Sequence, residues 1–237
     1  MSRSEVIRFL ILRSIGNFLV LFAIFGVLAT FGPALYYEVL FRVGELRGVR
    51  YIVSQEKPST FGEVLRLAKT RNYKTSYGLA DILAGPKENI LIAKDTEFSI
   101  LIPKIGANAK VFPNVDSSDS NIFLPILRSG VAHAKGTVFP GQKGNIYLFA
   151  HSTDNFWDVG RYNAVFYLIK DLKLGDEAVI FFGDKRYNYI VSESKVVGPE
   201  DVSYITKAQG GEEQLILQTC WPPGTTWKRL LVFAKPK

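Results

Sequence analysis

The sequence is poor in the two side chains that most often support catalysis or metal binding. Its 237 residues include one cysteine, Cys220, and two histidines, His133 and His151. A single cysteine cannot form an internal disulfide, so a secreted fold held together by disulfides is excluded. One cysteine and two histidines 18 residues apart also match no familiar metal-ligand spacing, and we expect no metal and no cofactor. Any mechanism that needs an imidazole has two candidates.

The sequence also has no run of five or more basic residues. Its formal net charge of +7 comes from Lys and Arg spread along the whole chain. Scattered basic residues are typical of a solvated surface, and nucleic-acid binding is not expected. No phosphate-binding glycine loop or dinucleotide fingerprint is present.

One long stretch lacks charge altogether. Residues 14–37 comprise 24 uncharged positions rich in Leu, Phe, Ile, Val and Ala, and about 20 apolar residues suffice for a helix to cross a bilayer. Arg3, Arg8 and Arg13 precede it, which favours a single-pass anchor with residues 1–13 in the cytoplasm and the rest outside the cell. A signal peptide would have a shorter apolar region and a small-residue cleavage site, and a buried core helix of this length is uncommon.

Residues 38–95 have a mixed, charged composition that predicts an extracellular linker or helical stalk. Thr60 and Glu63 form a capping box, and a second short helix is predicted through residues 79–83, before Gly85-Pro86. The segment is either a stalk or a cover on the domain that follows.

From residue 96 onwards, short β-like runs alternate with turn residues. Gly183-Asp184-Lys185 predicts a hairpin, and residues 162–170 predict a short helix. The pattern indicates a mainly β domain, either a closed barrel or a sandwich. The predicted strands are Phe98–Ile102, Ile146–Phe149, Ala178–Phe182, Tyr187–Val191, Gln214–Gln218 and Leu230–Phe233.

The last two predicted strands flank an eight-residue loop, residues 221–228. If they pair as a hairpin, Cys220 and Arg229 lie opposite each other at the mouth of the loop. A guanidinium beside a thiol favours the thiolate and can stabilise an oxyanion. The competing interpretation makes Cys220 a small buried hydrophobic residue and Arg229 a surface residue that starts an edge strand.

A cysteine nucleophile normally needs an acid–base partner, most often histidine. His151 ends a predicted strand and opens a polar loop, whereas His133 lies in a turn-rich stretch and more simply hydrogen-bonds to hold a loop. Position favours His151 but leaves both candidates open. Four aromatic residues flank the candidates and either line a groove or pack on the domain: Phe156, Trp157, Trp221 and Trp227.

As an ordered set, the motifs from about residue 98 to the end resemble those of sortases, the membrane-anchored cysteine transpeptidases of bacterial surfaces. The family's Thr-Leu-x-Thr-Cys motif is similar to residues 216–220, with Arg229 nine positions further on. Upstream, Ile102-Pro-Lys-Ile-Gly, Gly130-Val-Ala-His and Gly144-Asn145 before Ala150-His151 resemble the run that leads to the family's catalytic histidine. Ile216 replaces the usual threonine and Ala150 the usual glycine, but neither change removes a catalytic group.

The resemblance implies a closed eight-stranded β-barrel over residues 96–237 and selects His151. It implies that Cys220 attacks the Thr–Gly amide of a Leu-Pro-x-Thr-Gly-like sorting signal on a surface protein, that His151 is acid and base, and that Arg229 stabilises the oxyanion or positions the peptide. An amine from the cell wall or a pilin accepts the acyl group. Thr219, Ala150 and Trp221 are the candidate substrate-binding residues.

The sequence allows two alternative functions to be compared with this one. An L,D-transpeptidase carries a histidine just before its cysteine, and none precedes Cys220 nearby. The other alternative is a catalytically silent, membrane-anchored barrel that binds surface proteins. It is favoured if the Cys220 sulfur, the His151 ring and the Arg229 guanidinium do not converge within about 4–7 Å across one groove.

Overall fold

The computed structural model describes residues 3–54, 88–152 and 165–237. Three predictions fall outside these ranges: the capping box at Thr60 and Glu63, the helix at residues 79–83, and the role of Phe156 and Trp157. The first residues of the helix predicted at 162–170 also fall outside them.

The chain begins with a single long helix, α1 (Arg3–Leu46). Its segment Arg3–Leu28 is long and apolar enough to cross a membrane, and its side chains are not buried by the rest of the chain. Large exposed apolar side chains on every face are the pattern expected of a helix that lipid surrounds. The helix continues about nine residues beyond Tyr37, the end of the predicted span, into the segment predicted as linker.

Ten strands and two further α-helices follow α1 in the described residues. Two 3₁₀ helices accompany them: η1 (Pro103–Ile105) and a second that we call the plug helix (Tyr167–Asp171). The strands are β1 (Arg50–Val53), β2 (Glu88–Leu91), β3 (Phe98–Ile102), β4 (Ala107–Val115), β5 (Val131–Ala134), β6 (Asn145–Phe149), β7 (Glu177–Phe182), β8 (Lys185–Val197), β9 (Gln214–Trp221) and β10 (Lys228–Pro236), and the helices are α2 (Ser120–Leu127) and α3 (Ser203–Thr206).

Strands β3 to β10 close into an eight-stranded barrel in the order β10-β8-β7-β3-β4-β5-β6-β9. Most neighbours are antiparallel, but β4 pairs with β5 and β6 pairs with β9 in parallel. The barrel, the hairpin at residues 183–185 and the pairing of β9 with β10 confirm the sequence predictions. Closure removes the exposed sheet edges that an open sandwich leaves.

Two barrel strands, β4 and β5, and two helices, α2 and α3, were not predicted. In β4, polar residues and Pro113 interrupt the apolar alternation, and a bulge between Phe112 and Val115 shifts its register with β5. Strand β5 has only four residues, one of them His133. Helix α2 begins after Asp119, which caps it by accepting a hydrogen bond from the Asn121 N–H (2.9 Å).

The period-two alternation of the strands divides the core into two layers. Side chains of one parity fill the barrel, as Leu215 and Leu217 of β9 do. Those of the other parity, such as Ile216, form an outer layer under α2 and α3. The position of a residue in a strand therefore decides whether it faces the interior or the outer surface.

The barrel has one end that matters for the candidate chemistry, here called the Cys220 end. It comprises the C-terminal ends of β3, β6 and β9 and the N-terminal ends of β4, β7 and β10. The plug helix lies across it, with Phe166 and Ile169 fully buried in the inner core. On the outer face, β1 and β2 form a small parallel sheet in which Val53 and Leu91 pack on Leu101.

Candidate active site

Cys220 lies at the end of β9 and is half-buried. Leu215, Leu217 and Thr219 of this strand are buried toward the barrel interior. Alternation therefore places Cys220 on the outer face, together with Gln218. Ile216, on the same face, is fully buried, whereas Cys220 is only half-buried, so the end of the strand leaves the thiol partly accessible at the rim of the barrel.

Arg229 is the direct cross-strand partner of Cys220. The β9–β10 register pairs the two residues, and paired residues share a face of the sheet. The half-buried Arg229 donates from Nη1 to the carbonyl oxygens of Thr226 (2.9 Å) and Lys228 (3.1 Å). These bonds hold the guanidinium against the loop that joins the two strands.

His151 approaches Cys220 from the other side, along β6. Phe149 pairs with Gln218 in the parallel β6–β9 register, and the Ala150 N–H donates to the Gln218 carbonyl (3.2 Å). Continuing that register by two residues brings His151 level with Cys220, and the parity of Phe149 places the half-buried His151 on the same outer face.

His151, Cys220 and Arg229 therefore occupy one row across β6, β9 and β10. Neighbouring strands lie about 4.8 Å apart, which is close enough for a histidine and a cysteine side chain to meet over the groove. The strand register thus places the three residues at one level, and the convergence of their side chains within about 4–7 Å stays a prediction. Their catalytic roles remain a prediction.

The candidate substrate-binding residues are placed differently from one another. Thr219 and Ala150 are 1% and 4% exposed, and the Thr219 hydroxyl donates to the Ala150 carbonyl (3.1 Å). Burial argues against the predicted contact of the Thr219 side chain with substrate. Its bond instead ties β9 to the residue just before His151. Trp221 is half-buried and packs against the inner core, whereas Trp227 is 73% exposed on the neighbouring loop.

Two groove residues were missed by the sequence reasoning. Tyr147 donates a hydrogen bond to the Gln218 side-chain oxygen (2.8 Å), and both precede the site residues on the same face of their strands. Burial raises the pKa of Tyr147, and the nearby charge of Arg229 opposes that rise. Counting back in steps of two from Cys220 and His151 would have found both positions.

His133, the other histidine, lies elsewhere, on β5. It is fully buried and its ring stacks on Phe139, with the centroids 4.6 Å apart. The Asn114 N–H points to Nδ1 (3.3 Å), so Nε2 carries the proton and donates to the Val138 carbonyl (3.0 Å). This agrees with the interpretation of His133 as a hydrogen-bonded structural histidine, on a strand rather than in the predicted turn.

The region that contains the barrel matches a known protein family. The family model of the sortase domain matches residues 100–237. This range contains all eight barrel strands except the start of β3, and it includes His151, Cys220 and Arg229. The chain belongs to the sortase family. No group of three or more His, Cys, Asp or Glu side chains suited to a metal ion occurs in the part of this sortase that the structure describes.

Individual relatives resemble the same region. Sortase D of Bacillus subtilis (strain 168) is 30% identical over 137 residues, which cover 56% of this chain and 60% of that protein. The match therefore spans less than two thirds of that relative's length.

Among solved structures, sortase C1 of GBS pilus island 1 is similar with a TM-score of 0.50 and 25% identity, covering 59% of this chain and 63% of that one. A sortase C from Clostridium perfringens, solved with the C-terminal cell wall sorting motif, has a TM-score of 0.49 and 27% identity, covering 61% and 72%.

Proposed function

We propose that this sortase is a membrane-anchored cysteine transpeptidase that transfers a surface protein from a C-terminal sorting signal to an amine. The observation that supports this most is the row formed by His151, Cys220 and Arg229 at one level of three adjacent strands. A nucleophile, an acid–base group and a cationic donor in that arrangement suit acyl transfer through a thioester.

In the first half-reaction, the Cys220 sulfur attacks the carbonyl carbon of the Thr–Gly amide in a Leu-Pro-x-Thr-Gly-like signal. Arg229 stabilises the oxyanion or positions the peptide. The C–N bond breaks as His151 donates a proton to the leaving glycine amine, which leaves a thioester on Cys220.

In the second half-reaction, an amine from a cell-wall precursor or a pilin lysine attacks the thioester carbonyl. His151 now accepts the proton of the amine, a new amide forms, and the sulfur leaves as the thiolate. The two steps return the enzyme to its starting state and consume no cofactor.

The proposal includes the topology predicted from the sequence. Residues 1–13 are cytoplasmic, 14–37 cross the membrane, 38–95 form an extracellular linker, and 96–237 form the catalytic barrel. The arginines before the apolar stretch support the external position of the barrel.

Intact-mass spectrometry of the full chain with a panel of signal peptides and amines tests the function. We expect a covalent acyl adduct on Cys220 with a suitable peptide, followed by its conversion to a peptide–amine product when the amine is added. The Cys220→Ala protein is the control and should form neither. An adduct-free protein that still turns the peptide over would contradict the mechanism.

A further inference from the structure

The end of α1 beyond the predicted membrane span lies against the barrel. Lys170 of the plug helix donates to Glu38 (2.7 Å), and Arg42 donates to Asp171 (3.0 Å). One turn further along α1, Glu45 accepts a hydrogen bond from Lys104 (2.7 Å). Three successive turns of α1 therefore pair with the plug helix and then with η1.

These ion pairs, more than apolar packing, hold the contact together. The Phe41 ring lies 5.5 Å from the Arg42 guanidinium carbon and 6.0 Å from the Lys104 nitrogen, but a cavity of about 250 Å³ remains between α1 and the barrel. Its lining includes Phe41, Ile105 and Leu168. An incompletely packed contact depends on its polar pairs for a defined geometry.

The Glu38–Lys170 pair is the least exposed of the pairs that join α1 to the barrel. The side chains of Lys170 and Glu38 are 18% and 26% exposed. The hydrogen bond from Lys170 lowers the pKa of Glu38. Burial alone would lower the pKa of Lys170, but its hydrogen bonds to Asp171 and Glu38 outweigh burial and raise it. Both groups are therefore held in their charged forms.

The opposite face of the plug helix packs on the inner core near the end of β9. Phe166 and Ile169 are fully buried in the inner core, and Trp221, the neighbour of Cys220, packs against the same cluster. The plug helix thus lies between the end of α1 and the end of β9.

The order of these contacts along α1 sets the orientation of the barrel. Glu38 is the first charged residue after the uncharged stretch, so Lys170 lies at the edge of the lipid. Lys104, which pairs with Glu45, lies about 10 Å further from it at 1.5 Å rise per residue. Lys104 belongs to η1, after β3, which is on the opposite side of the barrel from β9.

We propose that residues 38–45 are a docking element that fixes the barrel on its membrane helix. In this arrangement the plug helix and the β9 side of the barrel face the outer leaflet of the membrane. Cys220 then works at a set height above the lipid surface instead of at the end of a free tether. The inference rests on the proposed membrane position of residues 14–37, and it is independent of the chemistry at Cys220.

The lone cysteine allows a direct test in the full chain. Cys220 is labelled with a donor fluorophore, the protein is placed in nanodiscs that contain a headgroup-labelled acceptor lipid, and donor lifetimes report its distance from the lipid surface. We expect one narrow, short distance for the parent. The charge reversals Glu38→Lys and Lys170→Glu should each broaden and lengthen the distribution. The double exchange should recover part of the change, because it restores the pair between the two positions but loses the bonds of Lys170 to Asp171 and of Arg42 to Glu38.

Arg42→Glu on the exposed face of α1 should act in the same direction as Glu38→Lys. Glu38→Lys and Arg42→Glu both lie on α1 and leave the barrel sequence unchanged. Their distance distributions therefore test the proposal even if Lys170→Glu impairs folding. Lys237→Glu removes the pair with Glu177 (3.3 Å) outside the docking contact and should leave the distance unchanged.

A broad distribution in the parent would overturn the proposal. So would distances that neither helix-side reversal changes, or a double exchange that behaves like the single reversals. Because the readout needs no turnover, failure of the docking proposal is distinguishable from failure of the proposed reaction, which unlabelled protein tests separately.

Discussion

The two histidines lie in different environments, one in the barrel interior and the other at its rim. His133 is fully buried, with both ring nitrogens committed to hydrogen bonds, and burial lowers its pKa. His151 is half-buried at the end of β6, level with Cys220. The interior favours one neutral tautomer, whereas the rim leaves the imidazole partly exposed, as the proposed acid–base role requires. Position relative to the barrel wall therefore distinguishes the structural histidine from the candidate catalytic one.

The largest expected effect comes from removing the thiol at the rim. Cys220→Ala should lower transpeptidation by at least about 10³-fold, because the chain has no other thiol to form the acyl intermediate. The rate of peptide–amine product formation measures this. The melting temperature should stay close to that of the parent, since the residue is only half-buried. Substantial turnover by the variant would remove Cys220 from the mechanism.

Exchanging the two histidines for alanine one at a time tests the comparison directly. His151→Ala should lower kcat/KM by roughly 10²- to 10⁴-fold, as expected for loss of a general acid–base, with little change in stability. His133→Ala should instead cost about 1–3 kcal/mol of unfolding free energy, because it leaves buried hydrogen-bonding groups without a partner.

Kinetics and denaturant melts on both proteins in the same detergent provide the two readouts. For His133→Ala, kcat/KM per folded molecule should stay near that of the parent. The comparison fails if the two variants lose activity equally while both remain folded.

Substitution of Arg229 tests whether its guanidinium stabilises the oxyanion or positions the peptide. Arg229→Ala should lower kcat/KM by about 10²- to 10³-fold if the guanidinium stabilises the oxyanion. Arg229→Lys keeps the charge but loses the planar fork, so it should recover part of that loss. A fall confined to kcat assigns the oxyanion role, and a rise confined to KM assigns peptide positioning. Arg186→Ala, on the β7–β8 hairpin, is the matched control and should be near neutral in both parameters.

The smallest expected effect is the pH dependence of stability due to His133. Its folded-state pKa is lowered from 6.5, so the unfolded chain binds more protons than the folded one below that value. Stability should therefore be fully present above pH 6.5 and decline as the pH falls below it, by at most about 1.4 kcal/mol per pH unit for one group.

Denaturant melts between pH 7.5 and 5.5 measure this slope. His133→Asn is less stable at every pH but should show a flatter profile, because it has no imidazole to protonate. An unchanged slope in that variant would assign the pH dependence to other groups.

Some of the fold was readable from the sequence because its signals are local. The strands with clear apolar or aromatic runs, the hairpin at residues 183–185 and the pairing of Cys220 with Arg229 follow from residue patterns and short loop lengths. Strand β4 was missed because a bulge and polar residues break its alternation, and β5 because four residues give too short a pattern.

The sequence by itself determined the apolar span, the mainly β domain and the pairing of the lone cysteine with Arg229, because each depends on composition or on residues close in the chain. Only the tertiary structure set His151 level with Cys220, because this requires parallel pairing of β6 with β9 across about 70 residues of chain. It also decided that His133, on β5, is buried. The contact of α1 with the plug helix joins residues 132 positions apart. Long-range pairing of this kind depends on how the whole barrel closes, and no local pattern encodes it.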